Sequence, residues 1–290
     1  MLRNMCGAQM TPRACIMGHP VAHSRSPMLH GYWLRTLGID GAYEFADVAP
    51  DRFAQFFRGL RANGFVGGNI TIPHKEAAFR LVDRREPAAD AIGAVNTVWY
   101  EGDRLIGGNT DWLGIVGSLD DLCPGWDAPA GRVVVLGAGG SARASVYAFR
   151  QRGFEVALVN RTRARAETLA GEFGPCVSVH GWDALPHLLA EADVLINNTS
   201  LGQQEFPPLV IDLGPLRRSA IVYDGVYVPL ETALLQAARR AGHRTVGGLS
   251  MLLYQAVPGF AHWFGVTPKV TPEQRAILEA DIRATSRGTA

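Results

Sequence analysis

The segment RVVVLGAGGSARASVYAFRQRG, residues 132–153, is the feature that most restricts what this chain can fold into. A short apolar run ends at a glycine-rich turn, and the apolar spacing then becomes that of a helix. A second apolar run, EVALVN, follows at residues 155–160. A strand, a turn, a helix and a second strand in this order predict a β-α-β unit with parallel strands.

The turn itself, GAGGSA, matches the pattern G-x-G-x-x-A of dinucleotide-binding folds. Gly137 permits the tight turn, Gly139 lets the backbone approach a pyrophosphate, and Ala142 allows the helix to pack closely on the sheet. The helix N-terminus adds amide donors and a partial positive charge. A plain strand-to-helix turn is the alternative, but the complete β-α-β context favours a dinucleotide. We therefore predict cofactor contacts from Gly137, Ala138, Gly139, Gly140, Ser141 and Ala142.

The end of the second strand indicates which dinucleotide is bound. NAD-binding proteins place an Asp or Glu there, about 20 residues after the glycine turn, to accept a hydrogen bond from the ribose 2′-hydroxyl. This chain has Asn160, followed by Arg161, Thr162 and Arg165, which offer donors to a 2′-phosphate. Each charged hydrogen bond contributes about 1.5–3 kcal/mol. The cluster predicts NADP as the cofactor; the alternative is a solvated basic surface, and Arg163 is expected to point outward.

Composition favours a globular protein whose basic site is local. Hydrophobic residues make up 47% and charged residues 19% of the chain, a mixture that can bury a large core. The formal net charge is +1, with 28 basic and 27 acidic residues, so we expect neither nucleic acid nor a membrane as a partner. No apolar stretch reaches the length of about 18 residues that a membrane span needs.

Cysteine usage and the start of the chain predict a cytoplasmic protein. Cys6, Cys15, Cys123 and Cys176 are far apart and show no C-x-x-C spacing, so we expect no disulfide framework. The opening MLRNMCGAQMTPRAC lacks the apolar core of a signal peptide.

Length and pattern predict two domains. The 290 residues exceed the common size of one domain, about 100–200 residues. In the first half, AYEFADV, DRFAQFFRGLRANG and GGNIT alternate as strand, helix and strand. Two prolines and two glycines interrupt the alternation at residues 123–131, which marks a boundary.

The second half continues as a doubly wound nucleotide-binding domain, and SMLLYQAVPGFAHWFG then predicts a helix, kinked at Pro258, that packs back on the first domain. The predicted fold class is α/β: an N-terminal α/β domain with a mostly parallel sheet, a Rossmann-type doubly wound domain, and a cleft between them. The predicted limits are 11–122 with 249–290 for the first domain and 123–248 for the second. Glycine and proline content predicts hinges at 122–131 and 246–250 that let the cleft close.

Four polar clusters in the first half do not follow the packing pattern: HSRSP at 23–27, NITIPHK at 69–75, GAVNT at 93–97 and GGNTD at 107–111. Each occurs where a strand gives way to a turn or helix, the edge at which α/β sheets bind ligands. A single Ser, Thr or Asn at such a place is usually a turn or cap residue. Together the four clusters predict a ligand site.

These clusters and the motifs of the second half resemble the shikimate dehydrogenase family nearly from end to end. The matching segments, in the family's order, are GHPVAHSRSPMLH, GGNITIPHK, GAVNT, GGNTD, GAGGSARA, NRT, NNTSLG, YDGVY and GGLSMLLYQA. The resemblance implies NADPH-dependent reduction of 3-dehydroshikimate to shikimate, a step in the biosynthesis of chorismate and the aromatic amino acids. It also implies that the first domain and the final helices bind the substrate opposite the Rossmann domain.

The resemblance also implies roles for individual residues. One lysine would donate the proton that the carbonyl oxygen gains during reduction, and one aspartate would orient it. Neutral hydroxyl and amide side chains would hold a small polar substrate without burying an unpaired charge. The matching residues are Lys75 and Asp111 for catalysis; Ser24, Ser26 and Tyr227 for the substrate carboxylate; Thr71, Asn96 and Gln255 for the ring hydroxyls; and Thr199, Ser200, Val226 and Gly248 for the cofactor.

The histidines near these motifs carry no predicted chemistry. His74 is interpreted as a turn residue, and His19, His23 and His30 lack the spacing of metal ligands, so we expect no metal. We expect the substrate and NADP as small-molecule partners and leave a homodimer open.

Two positions depart from the family pattern. Gln203 stands where the family commonly has Met, and Gly247 stands where it usually has Asp. Both belong to the predicted nicotinamide side of the cleft, so they leave open a relative that acts on quinate or aminoshikimate, with NAD in place of NADP. A non-catalytic NADP-binding regulator is a further alternative, against which the retention of both Lys75 and Asp111 argues.

Overall fold

Two six-stranded sheets with helices on their faces form the protein, which confirms the predicted α/β class. A computed structural model describes residues 11–287, without the side chains of residues 286 and 287, so Cys6 lies outside the described residues. The first half contains β1 (Arg13–Gly18), α1 (Ser26–Thr36), β2 (Ala42–Asp47), α2 (Pro50–Arg58), β3 (Phe65–Ile70), α3 (Lys75–Leu81), β4 (Arg84–Arg85), α4 (Pro87–Ile92), β5 (Thr97–Glu101), β6 (Arg104–Gly108) and α5 (Asp111–Leu122). The second half contains β7 (Arg132–Leu136), α6 (Gly140–Gln151), β8 (Glu155–Val159), α7 (Arg163–Phe173), β9 (Val177–His180), a 3₁₀ turn (Trp182–Ala184), α8 (Leu185–Glu191), β10 (Val194–Asn197), β11 (Ile221–Asp224), α9 (Ala233–Arg240), β12 (Arg244–Gly247), α10 (Gly248–Phe264) and α11 (Pro272–Arg287).

The first sheet has the strand order β2-β1-β3-β5-β6-β4 and is mostly parallel, as predicted. One strand, β5, runs antiparallel to both of its neighbours. The reversal follows from the two-residue connection Gly102–Asp103 between β5 and β6, which is long enough for a hairpin but not for a crossover. Because β5 is reversed, its first residues lie at the same edge as the last residues of β1, β3 and β6. The four polar clusters of the sequence therefore meet at one edge of this sheet.

The second sheet is entirely parallel, with the strand order β12-β11-β10-β7-β8-β9. This is the order of a dinucleotide-binding fold, in which the chain runs outward from a central strand and then continues on that strand's other side. The change of direction occurs between β7 and β10. The loops that follow these two strands are in contact, since a Cβ on Gly137 would lie 3.1 Å from the carbonyl oxygen of Asn198.

Helices α5 and α10 join the two halves. They pack so closely that a Cβ on Gly114 would lie 2.7 Å from the carbonyl oxygen of Met251. Trp263 donates a hydrogen bond of 2.8 Å to Val98 in β5, so the last segment returns to the first sheet as predicted, and the helix continues on both sides of Pro258. Apolar residues of α5 also belong to the core beneath the second sheet. The domain limits drawn from the sequence stay a prediction.

Two predicted elements are shorter in the structure. The helix predicted over residues 51–64 ends at Arg58, because the chain turns at Gly59 and reaches Gly64 with a φ of +83°. The strand predicted over residues 220–227 ends at Asp224. The carboxylate of Asp224 accepts hydrogen bonds from the backbone of Val226 (3.1 Å) and the hydroxyl of Thr232 (2.6 Å), which replaces further sheet pairing.

Among residues 11–287, no helix is both long and apolar enough to cross a membrane. The three cysteines in this range, Cys15, Cys123 and Cys176, are free thiols.

His30 lies fully buried in an aromatic cluster under the first sheet. Its ring stacks on Tyr43 at a centroid distance of 4.0 Å, and Phe260 and Trp263 lie within 6 Å. Neither ring nitrogen makes a hydrogen bond of good geometry among the described residues, although the side chain of Asn69 is near enough to oppose the shift of the pKa. Burial lowers the pKa of His30 to about 3, so the imidazole is neutral in the folded protein.

The buried His30 predicts a loss of stability in acid. The unfolded chain binds a proton at this residue below about pH 6.5, whereas the folded chain does so only near pH 3. The free energy of unfolding should therefore fall as the pH drops through this window, by about 1.4 kcal/mol per pH unit. Urea denaturation at neutral pH and near pH 5 measures the decrease in the free energy of unfolding between the two pH values. In His30→Phe this decrease should be about 2 kcal/mol smaller than in the unchanged protein. In His187→Gln, at an exposed position, it should be the same as in the unchanged protein. An equal decrease in His30→Phe and the unchanged protein would refute the assignment.

Candidate active site

Lys75 and Asp111 form an ion pair at the edge where the polar clusters meet. Lys75 is the first residue of α3 and Asp111 is the first residue of α5. Their side chains are 17% and 6% exposed, so the pair is largely shielded while the lysine retains access to the cleft. Lys75 and Lys269 are the only lysines of the chain, in which all other basic side chains of the 28 are arginines. Lysine can release a proton and arginine cannot, which sets this position apart.

The Asp111 carboxylate is held from two sides. One oxygen pairs with Lys75, and the other accepts a hydrogen bond of 2.8 Å from the side-chain amide of Asn96. The backbone N–H of Asp111 donates to Asn109 Oδ1 (3.0 Å), and Asn109 in turn donates to the carbonyl of Ala94 (3.0 Å). These bonds fix the carboxylate and the start of α5 relative to the GAVNT segment.

Asn96 is the centre of this network. Its Oδ1 accepts from the backbone N–H of Thr110 at 2.7 Å, and its Nδ2 lies 3.4 Å from Oε1 of Gln255 in α10. All three residues are buried. The structure thus brings four of the predicted residues together: Lys75, Asp111, Asn96 and Gln255.

The remaining predicted substrate residues border the same edge. Thr71 directly follows β3, whose last residue, Ile70, donates to the carbonyl of Asn96 at 2.8 Å. Ser26 begins α1, and its backbone N–H donates to Ser24 Oγ at 3.2 Å. Tyr227 packs against the core cluster that contains Leu29 of α1. Burial raises its pKa, and the positive charge of Arg25 opposes this effect.

The glycine turn lies next to this network. Gly137 has a φ of +106°, and a Cβ there would also approach the Asn198 carbonyl, so the turn requires glycine on both grounds. A Cβ on Gly139 would meet no protein atom within 4 Å, so the space before α6 is open to a ligand. A Cβ on Gly140 would lie 3.7 Å from the side chain of Lys75. The predicted cofactor turn and the predicted proton donor are therefore neighbours.

Two further loops of the second sheet border this turn. Thr199 contacts Gly137 from the loop after β10, and it donates hydrogen bonds to Asn197 through both its N–H and its hydroxyl (3.0 and 2.7 Å). Gly248, at the start of α10, donates to the carbonyl of Val226 at 3.2 Å, and a Cβ there would lie 2.2 Å from Gly225 O. Ser200 is exposed beside Thr199.

The basic cluster after β8 is exposed and partly unpaired. Asn160 donates to the carbonyl of Thr162 at 2.8 Å, which fixes the turn. Arg163 pairs with Glu167 at 2.8 Å, as expected of an outward-pointing residue. The side chains of Arg161 and Arg165 have no ion pair among the described residues, so both are available to an anion.

His74 has a packing role in the structure. Its Nε2 lies 2.6 Å from the carbonyl oxygen of Val48, and its ring stacks on Phe53 at 4.1 Å. Burial lowers its pKa. No group of three metal-ligating side chains occurs within residues 11–287.

The two departures from the family pattern lie at the border of the cofactor loops. Gln203 is exposed in the loop after β10. Gly247 caps α10, and a Cβ there would make an ordinary contact of 3.6 Å with Leu235. A side chain at position 247 is thus tolerated by the protein itself.

Sequence reasoning did not select several residues that the structure places in the network. Asn69 and Thr110 belong to the polar clusters NITIPHK and GGNTD but not to the predicted site. Asn197 and Asp224, opposite each other in β10 and β11, share a hydrogen bond of 2.9 Å that ties the two cofactor loops together. Burial raises the pKa of Asp224, and its three hydrogen bonds act in the opposite direction and lower it. A polar residue at the end of an otherwise apolar strand was the available signal.

Gly139→Ala should weaken NADP binding without loss of stability. The backbone of Gly139, with a φ of −99°, accepts alanine, and the new methyl group touches no protein atom. It would instead occupy the space of a pyrophosphate, so we expect the KM for NADP⁺ to rise about tenfold or more. The melting temperature should not fall, and the control Gly171→Ala in α7, whose added Cβ also meets open space, should leave the KM for NADP⁺ unchanged. An unaltered KM for NADP⁺ would show that the pyrophosphate lies elsewhere.

Comparison with known proteins identifies the family of the chain. The family model described as shikimate dehydrogenase substrate binding domain matches residues 16–98, and the model described as shikimate / quinate 5-dehydrogenase matches residues 127–206. The shikimate dehydrogenase (NADP(+)) of Mesorhizobium japonicum is 56% identical over 275 residues, which cover 94% of this chain and 98% of that protein.

Solved structures agree with the sequence comparison. The crystal structure of shikimate 5-dehydrogenase from Thermus thermophilus, in complex with NADP(H) and shikimate, superposes with a TM-score of 0.82 at 36% identity, covering 94% of this chain and 100% of that one. A quinate dehydrogenase from Corynebacterium glutamicum, in complex with NAD, gives a TM-score of 0.84 at 28% identity and covers 93% and 99%. The chain belongs to the shikimate dehydrogenase family.

Proposed function

We propose that this protein is an NADP-dependent shikimate dehydrogenase, which interconverts 3-dehydroshikimate and shikimate. The observation that carries the proposal is the position of the Lys75–Asp111 pair beside the glycine turn, with a Cβ on Gly140 only 3.7 Å from the lysine side chain. A proton donor and a dinucleotide turn this close can serve one reaction centre.

Residues of the chain supply the proton and orient the reacting groups. When bound, NADPH supplies the hydride that reduces the carbonyl carbon. Lys75 Nζ donates the proton to the carbonyl oxygen and stabilises the negative charge that develops there; in the reverse direction it accepts that proton. Asp111 keeps the ammonium group in place. The hydrogen bond from Asn96 keeps Asp111 from rotating toward the substrate.

The substrate is held by neutral groups. Asn96, Gln255 and Thr71 face one edge, where ring hydroxyls can both donate to and accept from them. Ser24 and Ser26 supply hydroxyl donors for the carboxylate. These uncharged partners fix a small triol acid in one orientation without the cost of an unpaired buried charge.

The cofactor residues fit NADP rather than NAD. The open space at Gly139 accommodates the pyrophosphate, and the unpaired Arg161 and Arg165 accommodate a dianion on the ribose. Asn160, whose side chain is bound to the turn, brings no negative charge to repel it.

We further propose that the protein acts in chorismate and aromatic amino acid biosynthesis, that it is cytoplasmic, and that its cleft closes about residues 122–131 and 246–250. A homodimer stays open.

Turnover of the purified protein with a panel of substrates tests the function. With NADP⁺, shikimate should be oxidised with a kcat/KM at least about tenfold above that for quinate, because relatives that are 54–56% identical are shikimate dehydrogenases (NADP(+)), whereas the quinate dehydrogenase is 28% identical. Preference for quinate would assign the chain to the quinate branch of the family. Absence of turnover with both acids, despite measurable NADP⁺ binding, would support a regulator instead.

A further inference from the structure

Tyr43 is a buried, titratable residue that the proposed reaction does not use. It lies in β2 and is not part of any of the four polar clusters in the sequence, and its ring stacks on His30. Its hydroxyl donates a hydrogen bond of 2.6 Å to Oδ1 of Asn69 in β3. Burial raises the pKa of Tyr43 far enough that the phenol keeps its proton and acts as a donor.

A continuous chain of buried hydrogen bonds leads from this hydroxyl to the ion pair. Asn69 Nδ2 donates to Thr97 Oγ1 at 3.0 Å, and Thr97 Oγ1 donates to Asn96 Oδ1 at 3.0 Å. Asn96 Nδ2 then donates to Asp111 Oδ1 at 2.8 Å. Each member of the chain is buried.

The direction of donation is fixed at both amide side chains by backbone groups. Asn69 Nδ2 also lies 3.2 Å from the backbone carbonyl of Asn96, which only accepts, so the NH₂ end of Asn69 must face that side. Its oxygen must then face Tyr43. In the same way the backbone N–H of Thr110, which only donates, fixes Oδ1 of Asn96 at 2.7 Å and turns its NH₂ end toward Asp111.

We propose that Tyr43 is a positioning residue for the reaction: its hydroxyl begins a relay of donors through Asn69, Thr97 and Asn96 that holds the Asp111 carboxylate, and thereby Lys75, in the reactive arrangement. The inference rests on the proposed function, since it concerns the same ion pair. When Thr97 donates to Asn96 Oδ1 rather than to Thr110 Oγ1, which lies 3.1 Å away, every hydrogen bond of the relay has its donor on the side of Tyr43 and its acceptor on the side of Asp111. Buried bonds in series strengthen one another, so the loss of the first donor is felt at the last acceptor.

Tyr43→Phe tests the relay, because it removes only the hydroxyl and keeps the ring on His30. It leaves Asn69 Oδ1 buried without a donor, which frees the amide to move. We expect kcat for shikimate oxidation to fall about tenfold, with KM values for shikimate and NADP⁺ within about threefold of the unchanged protein. Thr97→Val removes the hydroxyl of the third residue in the relay with little change of shape, so it should lower kcat by the same factor. Tyr100→Phe, which removes a hydroxyl at the far end of β5 that accepts from the Arg61 N–H, is the matched control and should keep full turnover.

A double-mutant cycle separates a relay from a general loss of packing. In an Asp111→Ala background, Tyr43→Phe should change kcat by less than about twofold, because alanine has no oxygen to accept the last hydrogen bond of the relay. An equal tenfold loss in both backgrounds would overturn the inference, as would an unchanged kcat with a raised KM for shikimate, which would assign Tyr43 to the neighbouring Ser26. Absence of shikimate oxidation in the unchanged protein would refute the proposed function rather than the relay alone.

Discussion

Lys75→Ala is expected to lower kcat for shikimate oxidation by about 10²–10⁴, the range that one positioned proton-transfer group contributes. The side chain reaches the centre from the first turn of α3 and is paired with Asp111. The affinity for NADP⁺ should change little, because the glycine turn and the basic cluster are untouched. Steady-state kinetics and calorimetric titration with NADP⁺ measure the two effects separately.

Two matched variants make this prediction specific. Lys75→Arg keeps the positive charge beside Asp111 but cannot release a proton, so it should be nearly as impaired as the alanine variant. Lys269→Ala, at the chain's other lysine, should keep full turnover, because that side chain is exposed and only its backbone carbonyl is used, by Trp33. Substantial turnover in Lys75→Arg would show that the lysine acts only through its charge.

Replacing both Arg161 and Arg165 by alanine is expected to remove most of the preference for NADP⁺ over NAD⁺. Each charged hydrogen bond to a 2′-phosphate contributes about 1.5–3 kcal/mol, so losing two should reduce kcat/KM for NADP⁺ by about 10² or more. The value for NAD⁺ should rise or stay constant, since the ribose hydroxyl never used these side chains. The ratio of the two kcat/KM values is the measurement.

Arg163→Ala is the matched control for the basic cluster. Arg163 lies between the two other arginines in sequence but is paired with Glu167, so its removal should leave the coenzyme ratio within about twofold. A loss as large as that of the double variant would mean that the summed positive charge of the cluster selects the cofactor, rather than hydrogen bonds from Arg161 and Arg165.

The cofactor half of the site was predictable because its signals are local. The glycine turn, the strand before it and the helix after it are contiguous, and Asn160 with its arginines follows at the end of the next strand. Short-range patterns of this kind depend on backbone conformation and helix termini, which the sequence expresses directly. The same reasoning anticipated that Arg163 would face away.

The catalytic half was not predictable from residues alone. Lys75 and Asp111 are 36 positions apart, and they meet only because β5 is reversed and brings the ends of β3 and β6 to one edge. Their pairing was inferred from the family resemblance. Asn69 belongs to the polar cluster NITIPHK, but its partners Tyr43 and Thr97 lie on other strands, and only the tertiary structure brings the three residues together. The helix ends early because the chain turns at Gly59, and the strand ends early because the Asp224 carboxylate binds the backbone of Val226. The apolar periodicity of the sequence predicts neither end.

The exposed basic cluster after β8, with Arg161 and Arg165, is expected to bind the phosphorylated ribose of NADP⁺. Calorimetric titration of the unchanged protein with NADP⁺ and with NAD⁺, at one ionic strength, measures this preference without any substitution. NADP⁺ should bind at least about tenfold more tightly, a difference of about 1.4 kcal/mol. Equal or tighter binding of NAD⁺ would contradict the claim.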